Sequence, residues 1–257
     1  MTADPPAIVI VTFLGLAIGS FLNVCIHRIP RRQSLLSPPS RCPHCRNELR
    51  WADNIPVVSY LVLGGRCRKC RKPISARYPV VELMTMGLFL LHYSVFDWTP
   101  LLAVRLLFAC AMVALFAIDL EHQILPDVIT LPGIVAGLVF SLFLPPGAVS
   151  ALLGAVAGGG VLFLIAEAWS RLRNVEAMGF GDVKMLAMIG AFLGVRLMLL
   201  TFVLSSFIGG LAGGVLILSG RGTMASKVPF GTFLAAAALI ASLYGDGIVN
   251  WYLGLYT

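Results

Sequence analysis

Long uninterrupted runs of apolar residues dominate the chain, and short polar or proline-containing stretches separate them. Several runs reach the roughly 20 residues that a helix needs to cross a bilayer. Because the runs are continuous and do not alternate between polar and apolar positions, they predict helices rather than the strands of a barrel. The predicted spans are residues 7–26, 79–97, 101–118, 128–144, 148–169, 183–195, 197–218 and 230–244. The predicted fold is therefore all-α, a polytopic membrane protein with about eight transmembrane helices.

Composition strengthens this interpretation. Of the 257 residues, 58% are hydrophobic and only 12% are charged, whereas soluble domains contain about 25% charged residues. Residues 1–6 contain no Lys or Arg, and no small-residue cleavage site follows the first apolar run. Residues 7–26 are thus predicted to be a retained first span rather than a signal peptide. Residues 248–256 are expected either to continue the last span or to lie along the membrane interface.

The positive charge is concentrated in the one sizeable polar segment, residues 27–78. This segment holds 12 of the 19 Lys and Arg residues, and the net charge is +7. Basic loops beside membrane spans mark the cytoplasmic side, so residues 27–78 are predicted to lie there. The connections 119–127, 170–182 and 219–229 then also face the cytoplasm, and both termini lie outside. Counting Arg171, Arg173, Lys184, Arg221 and Lys227, 17 of the 19 cations are on or beside the cytoplasmic face.

The partner of this basic loop is predicted to be the membrane itself. The loop shows neither a recognition-helix pattern nor an aromatic platform, which argues against nucleic acid as a partner. Anionic lipid headgroups attract basic segments that flank membrane helices. We therefore expect a lipid bilayer with anionic headgroups, and no nucleic acid, as the partner of residues 27–78.

Four cysteines in this loop form two C-x2-C pairs with 21 residues between them. The pairs are Cys42 with Cys45 and Cys67 with Cys70. Four thiolates in this spacing predict a closed, structural zinc site, which would fold the loop rather than catalyse a reaction. Two disulfides or a redox pair are the alternatives, and a reducing cytoplasm disfavours disulfides. The other two cysteines, Cys25 and Cys110, lie in apolar runs and are expected to pack there.

Two aspartates lie where apolar runs meet polar connections. Asp119 follows the run 101–118, and Asp182 precedes the run that begins at residue 183. The predicted topology brings both to the cytoplasmic face, and carboxylates at the edge of hydrocarbon are costly enough to indicate a functional site. Such a pair can share one proton and activate water. Helix-end residues that merely face headgroups are the alternative.

The position of each aspartate relative to its helix predicts which one carries the shared proton. Asp182 opens a helix, where the dipole favours an anion, and Asp119 closes one. Asp119 is therefore expected to be protonated. Gly179 and Gly181 are expected to let the backbone approach an extended substrate, with Phe180 packing against the apolar part of that substrate.

The remaining charged residues near the spans are assigned structural roles. Asp127 precedes a span and is expected to cap it, and Glu121 is expected to face water. Glu82 and Glu167 are expected to pair with Arg or Lys, because unpaired carboxylates in a membrane are costly. Lys184 is expected to extend its amine toward the interface.

An ordered set of motifs spans nearly the whole chain. It comprises residues 15–28, the paired cysteine motifs, residues 76–85, residues 119–127, residues 179–184 and residues 227–235. This set resembles the type IV prepilin peptidase and N-methyltransferase family, the GxGD-type membrane aspartyl proteases.

The resemblance implies an endopeptidase that cleaves the leader of prepilins and pseudopilins at the cytoplasmic face of a bacterial inner membrane. It implies that Asp119 and Asp182 are catalytic, and that the protein serves a type IV pilus or a type II secretion system. Many members with the cysteine loop also methylate the new N-terminus and use S-adenosylmethionine as the methyl donor. The motifs assign no donor site, for which Asn23, His27 and Glu82 are the candidates.

The domains predicted on this basis are a first transmembrane helix, a zinc-binding loop domain and a transmembrane protease domain. Their ranges are 1–26, 27–78 and 79–257. Two other functions are compatible with the pattern: an ion-coupled membrane transporter, and a non-catalytic, zinc-tethered assembly protein. Transporters place carboxylates near the middle of the membrane and often carry inverted repeats, whereas here both aspartates lie at one edge and no repeat is evident.

Overall fold

The protein is described by a computed structural model over residues 4–37, 39–173, 179–219 and 229–255. In these ranges it contains helices, turns and two isolated bridges, and no β-strand. A 3-10 helix spans Trp51–Asn54. The α-helices are α1 (Pro5–Arg28), α2 (Val58–Val62), α3 (Arg77–Phe96), α4 (Pro100–His122), α5 (Asp127–Phe140), α6 (Ala148–Arg173), α7 (Phe180–Leu218) and α8 (Phe230–Gly254). The prediction of an all-α fold is confirmed.

Five of these helices, α1, α3, α4, α7 and α8, are long and apolar enough to cross a membrane. Two shorter apolar helical segments, Asp127–Phe140 and Ala148–Val161, accompany them. These lengths and this hydropathy confirm a polytopic membrane protein. The last helix continues without a break to Gly254, so residues 248–254 continue the helix of the final predicted span.

The N-terminal unit, residues up to 114, is built on the pairing of α1 with α3. The two helices pack antiparallel, because Gly15 lies against Met86 and Gly19 lies against Glu82. A Cβ atom at either glycine would come within 2.7 Å of a Cα atom of α3. Glycine is therefore required here for close helix packing, as in many membrane proteins.

The C-terminal unit, from residue 115 onward, is organised around α7, which packs against α5, α6 and α8. Small residues again set the closest contacts. Gly190 of α7 lies directly against the backbone of Gly154 in α6, and a Cβ atom at Gly158 would meet the Leu186 carbonyl oxygen at 2.7 Å. The glycines near residue 158 thus serve helix packing, as their position in an apolar run predicts.

Helix α7 contains a sharp break at Gly194, where φ is 79° and ψ is 172°. Before the break, Gly181 lies against Leu125, as does Gly231 at the start of α8. After the break, Gly245 of α8 lies against Leu197, and Gly209 of α7 lies against Phe233 near the start of α8. The second part of α7 therefore runs back toward the end at which the first part began.

This reversal makes α7 two antiparallel helical segments, which agrees with the prediction of separate spans on either side of Arg196. With α7 counted as two segments, the described part of the chain has eight apolar helical segments of 14 residues or more, where about eight transmembrane helices were predicted. Residues 174–178 and 220–228 lie outside the described residues. They include residues 174–178 of the predicted connection 170–182 and most of the connection 219–229. The cations Arg221 and Lys227 and the first two residues of the 227–235 motif are among them.

Candidate functional site

Asp119 lies near the end of α4, and its carboxylate is held by the first turn of α8. The backbone N–H of Thr232 donates to Asp119 Oδ2 at 2.7 Å, and the Thr232 hydroxyl donates to the same oxygen at 3.1 Å. Asp119 is only 5% exposed. Both hydrogen bonds favour the charged form of this carboxyl group, because each donor stabilises an anion.

Asp182 lies in the first turn of α7 and is 9% exposed. Its Oδ1 atom is buried and has no hydrogen-bond partner among the described residues. Its neighbour Gly181 lies against Leu125, and so does Gly231, which lies beside Asp119 Oδ2. The structure therefore brings together the two aspartates that the sequence singled out, in different hydrogen-bonding environments.

Leu125, in the segment that follows Asp119, lies against the first turns of both α7 and α8. A Cβ atom at Gly181 would come 2.8 Å from Leu125 Cβ, and one at Gly231 would come 2.9 Å from Leu125 Cδ1. A Cβ atom at Gly231 would also approach Asp119 Oδ2 at 3.0 Å. Both glycines therefore allow α7 and α8 to approach the 119–127 segment closely, which brings the aspartates near each other.

This contact changes the expectation for Gly181. Its missing side chain makes room for Leu125 of the same chain, rather than for a substrate. Gly179 precedes α7 with an extended backbone that any residue adopts. Phe180 is 66% exposed, and its ring lies 6.0 Å from the ring of Phe163. Gly179 and Phe180 thus remain the parts of this motif that face outward beside the aspartates.

An ion pair connects the Asp119 motif, residues 119–127, with the Asp182 motif, residues 179–184. Lys184 Nζ donates to Asp127 Oδ1 at 2.7 Å. The expectation that Asp127 caps α5 is wrong, because Pro126 occupies the N-cap position and no side chain caps the helix. Asp127 is instead the first residue of the helix, and its exposed carboxylate reaches Lys184. The lysine amine is therefore paired rather than simply extended toward the interface.

The predicted pairing of the two membrane-edge glutamates holds for one of them. Glu167 forms an ion pair with Arg171 one turn later in α6, at 2.7 Å. Glu82 instead accepts a hydrogen bond from the backbone N–H of Val57 at 2.8 Å. Val57 has a positive φ of 58°, unusual for a β-branched residue. Glu82 thus holds the polar loop against α3 by binding the backbone of Val57 in that loop, and not by pairing with a cation.

The four cysteines of the C-x2-C motifs converge in the N-terminal unit. All four sulfur atoms lie within 4.8 Å of one another. Cys42 Sγ is 3.8 Å from Cys70 Sγ, and Cys45 Sγ is 3.9 Å from Cys67 Sγ. A tetrahedral zinc site with Zn–S bonds of about 2.3 Å separates its sulfurs by about 3.8 Å. These spacings fit a metal and are far too long for disulfides.

The two cysteine motifs have the same backbone geometry. Each is closed by an isolated antiparallel bridge, Arg41 with Glu48 and Arg66 with Pro73. Arg46 and Arg71, each directly after the second cysteine, have a φ of 57°. The loop therefore presents its four sulfurs from two equivalent turns, as zinc knuckles do.

Backbone N–H groups also prepare this cluster for a metal. Those of Cys70 and Lys69 hydrogen-bond the sulfur of Cys67 and lower its pKa to about 6. The Lys72 N–H acts in the same sense on Cys70, but desolvation and the neighbouring sulfurs outweigh it and raise the pKa of Cys70 to about 11. These N–H groups therefore stabilise the thiolate form of Cys67, which is the form that binds metals.

The three residues predicted as candidates for a methyl-donor site lie along the helix pair of the N-terminal unit. Asn23 and Glu82 are both buried between α1 and α3. Asn23 Nδ2 donates to the Tyr78 carbonyl oxygen at 3.0 Å, and its Oδ1 atom is buried without a partner among the described residues. His27 follows one turn later in α1, where its carbonyl oxygen accepts from Arg31. Their role as donor ligands stays a prediction.

Sequence reasoning missed Thr232, Leu125 and Gly231. Thr232 and Gly231 lie inside the 227–235 motif, which was noted only as a resemblance. Leu125 is an ordinary apolar residue in the Asp119 motif. The sequence signal for Gly231 and Thr232 was a small residue and a hydroxyl residue at the start of an apolar run. A helix N-terminus there offers free N–H donors that can bind a carboxylate.

Two family models match the chain. The model of the bacterial peptidase A24 N-terminal domain matches residues 13–96, and that of the type IV leader peptidase family matches residues 106–214. The first range includes the cysteine cluster, and the second includes both aspartates. No solved structure is significantly similar to the chain.

Curated relatives match over nearly their full length. A protein of Aeromonas hydrophila is 41% identical over 95% of this chain and 93% of its own. Proteins of Pseudomonas aeruginosa PAO1 and Burkholderia pseudomallei 1026b are 38% and 36% identical, covering 98% and 90% of this chain and 96% and 84% of their own. All three are named prepilin leader peptidase/N-methyltransferase. By these matches, the chain belongs to the type IV leader peptidase family.

Proposed function

We propose that this protein is an aspartic endopeptidase of the bacterial inner membrane. It cleaves the leader of type IV prepilins and pseudopilins, and it then N-methylates the new N-terminus. The observation that carries the peptidase activity is the convergence of Asp119 and Asp182, two buried carboxyl groups whose segments meet at Leu125. The names of the relatives supply the substrate class and the methyl transfer.

The chemistry follows from what two adjacent carboxyl groups can do. Like charges a few ångströms apart cannot both ionise at low cost, so the pair holds one proton. The ionised group takes a proton from water, and the protonated group donates to the oxygen of the scissile carbonyl. This division of roles needs no metal, so the cysteine cluster in the other unit is assigned a structural function.

The location of the pair suits a substrate that lies partly in lipid. A prepilin has a basic leader in the cytoplasm and an apolar helix in the membrane, so its scissile bond lies at the interface. Asp119 ends one apolar helix and Asp182 begins another, which supports placing the site at the cytoplasmic face. Exposed Phe180, next to Gly179, is assigned to contact the apolar part of the substrate near its scissile bond.

We assign the four cysteines to one structural zinc ion. Their sulfur spacing fits a tetrahedral site, and a closed site leaves no position open for a substrate. Cys42, Cys45, Cys67 and Cys70 would hold the ion and fold the polar loop. The domain ranges 27–78 for this loop and 79–257 for the protease part remain predictions, as does the orientation with both termini outside.

The methyl-transfer activity requires S-adenosylmethionine as the donor. The buried Asn23 and Glu82, with His27 one turn away, remain the candidates for the donor or acceptor site, because they lie between α1 and α3 beside the polar loop. Methyl transfer can be tested separately from cleavage. The purified protein is given mature pilin as acceptor, with labelled S-adenosylmethionine, and labelled N-terminal amine is the expected product.

Cleavage of a purified prepilin tests the peptidase activity. Full-length protein in detergent or liposomes should convert the prepilin to a shorter, faster-migrating product. Asp119→Asn and Asp182→Asn should each abolish this conversion. Asp246→Asn is the matched control, because Asp246 is an exposed aspartate elsewhere on α8, and it should cleave normally.

Two results would contradict the peptidase proposal. The first is a wild-type protein that leaves the prepilin intact, which a transporter or an assembly protein would do. The second is normal cleavage by either the Asp119 or the Asp182 variant when the protein is folded. The unfolding temperature of each variant, compared with that of wild type, establishes folding in the same samples.

A further inference from the structure

Thr232 makes two contacts with a single oxygen of Asp119. Its N–H and its hydroxyl donate to Oδ2 at 2.7 and 3.1 Å, from a position 113 residues away in the chain. Thr232 is itself only 6% exposed, so little water competes for these hydrogen bonds. Given the peptidase function proposed above, we propose that Thr232 is a positioning residue that holds Asp119 as the ionised base and leaves the shared proton on Asp182.

The difference between the two aspartates supports this assignment. Asp119 receives two donors on one oxygen, whereas Asp182 Oδ1 is buried without a hydrogen-bond partner among the described residues. A buried carboxylate with few donors loses more from being charged than one with several. The single proton of the pair is therefore more stable on Asp182.

This assignment reverses the expectation from the helix dipoles, which placed the proton on Asp119. The dipole argument considers only the helix to which each residue belongs. Thr232 comes from α8, a third helix, and its donors contact the carboxylate directly. A direct hydrogen bond to a charged group outweighs the field of a helix end.

The contacts also determine which oxygen of Asp119 reacts. Because Oδ2 is occupied by Thr232, Oδ1 is the oxygen that takes a proton from the attacking water as its oxygen bonds to the scissile carbon. The Asp182 proton moves to the carbonyl oxygen. In the second step a gem-diol hydroxyl returns a proton to Asp182 as the carbonyl re-forms. The C–N bond breaks, and the leaving amine takes the proton from Asp119, so both groups return to their starting forms.

Substitutions that change only the hydroxyl test this role. Thr232→Val keeps the size and the backbone N–H but removes the Oγ1 donor, whereas Thr232→Ser keeps the donor. We expect Thr232→Val to lower kcat for prepilin cleavage by about 10- to 100-fold, with KM within about twofold. This loss is smaller than the whole contribution of a general base, about 100- to 10,000-fold, because the Thr232 N–H still holds Asp119. Thr232→Ser should recover kcat to within about threefold of wild type.

Thr201 provides a matched control. It is fully buried in the same unit, and its hydroxyl donates to the Leu197 carbonyl oxygen of its own helix at 2.8 Å. Thr201→Val removes a comparable buried hydroxyl without affecting an aspartate, and it should cleave at the wild-type rate. A wild-type kcat for Thr232→Val would overturn the inference, and so would a Thr232→Ser variant as impaired as Thr232→Val.

A chemical readout on the wild-type protein tests the proton assignment without any variant. A diazoacetyl compound esterifies a protonated carboxyl group, and an epoxide alkylates a carboxylate anion. Peptide mapping should find the diazo label on Asp182 and the epoxide label on Asp119, and the reverse pattern would overturn the assignment. If wild-type protein does not cleave a prepilin at all, the proposed function fails; if it cleaves and Thr232→Val cleaves equally well, only this inference fails.

Discussion

Lys184 and Asp127, 57 residues apart in the sequence, form an ion pair of 2.7 Å that joins the starts of α7 and α5. Lys184 follows Asp182 by two residues, and Asp127 ends the motif that begins with Asp119. The pair therefore connects the two segments that carry Asp119 and Asp182. Both side chains are partly exposed, so water limits the strength of the pair.

We expect this ion pair to stabilise the fold only modestly. Lys184→Met and Asp127→Asn should each change the free energy of unfolding by less than about 1 kcal/mol, and the coupling between them should be about 0.2–1 kcal/mol. A double-mutant cycle on unfolding measures the coupling. The Arg171–Glu167 pair, which lies within one helix, is the comparison, and a coupling of zero for Lys184 and Asp127 would show that the contact is not formed.

Gly231 should tolerate no side chain. A Cβ atom there would come within 3.0 Å of Asp119 Oδ2 and 2.9 Å of Leu125 Cδ1, so Gly231→Ala should displace the carboxylate and lower kcat by about 100-fold, the cost of a 1 Å misplacement. Gly247→Ala, in the same helix, is the control because a Cβ atom there meets nothing within 4 Å. Prepilin cleavage rates measure the difference. Equal rates for both variants would refute the close contact at Gly231.

The contact of α6 with α7 should be as sensitive to small substitutions as a protein core. Gly190 lies directly against the Gly154 backbone, and backbone cannot move aside as a flexible side chain does. Gly190→Ala should therefore destabilise the protein by about 1–3 kcal/mol or more. Gly210→Ala, in an open position of α7, should be neutral or stabilising by up to about 1 kcal/mol. Unfolding temperatures in detergent measure the difference. Equal unfolding temperatures for the Gly190→Ala and Gly210→Ala variants would disprove this packing.

Each of the four clustered cysteines should be required for metal binding. Wild-type protein should contain one zinc ion per chain, and Cys42→Ser or Cys70→Ser should lose it, because a hydroxyl is a poor substitute for a thiolate ligand. Cys110→Ser, which changes a thiol within α4, should keep the metal. Elemental analysis gives the stoichiometry. Limited proteolysis should then show cleavage within residues 29–76 once a chelator removes the ion. If the loop resists the protease fully after the ion is removed, the ion has no structural role.

The sequence predicted the features that depend on local pattern. Apolar run lengths gave the helices, and the spacing of the cysteines gave the cluster. Arg196 interrupts the apolar run of residues 183–218, and this interruption predicted two separate spans. In the structure the backbone reverses at Gly194, close to that position. The position of Asp119 and Asp182 at run ends, together with the loop charges, predicted that they meet.

What the sequence did not predict depends on contacts between distant segments. The hydrogen bonds from Thr232 to Asp119 and the ion pair between Lys184 and Asp127 join residues that no local pattern relates. Dipole reasoning considered a helix-end effect of about 0.3–1 kcal/mol, whereas hydrogen bonds to a charged group contribute about 1.5–3 kcal/mol each. Because the larger interaction comes from a third helix, the inference above places the shared proton on Asp182, whereas the dipole argument predicted Asp119.

The reversal at Gly194 also has a consequence for the surrounding lipid. The first segment of α7, residues 180–193, and helix α5 have 14 residues each, or about 21 Å of helix, against a hydrocarbon thickness of about 30 Å. Helix α5 exposes Val128, Val135 and Val139. If acyl chains contact this short helix, the bilayer must thin beside it, at a cost that grows with the mismatch. Cleavage should therefore slow in liposomes of longer acyl chains, because a thicker bilayer would deform more to let water and the scissile bond reach the two aspartates.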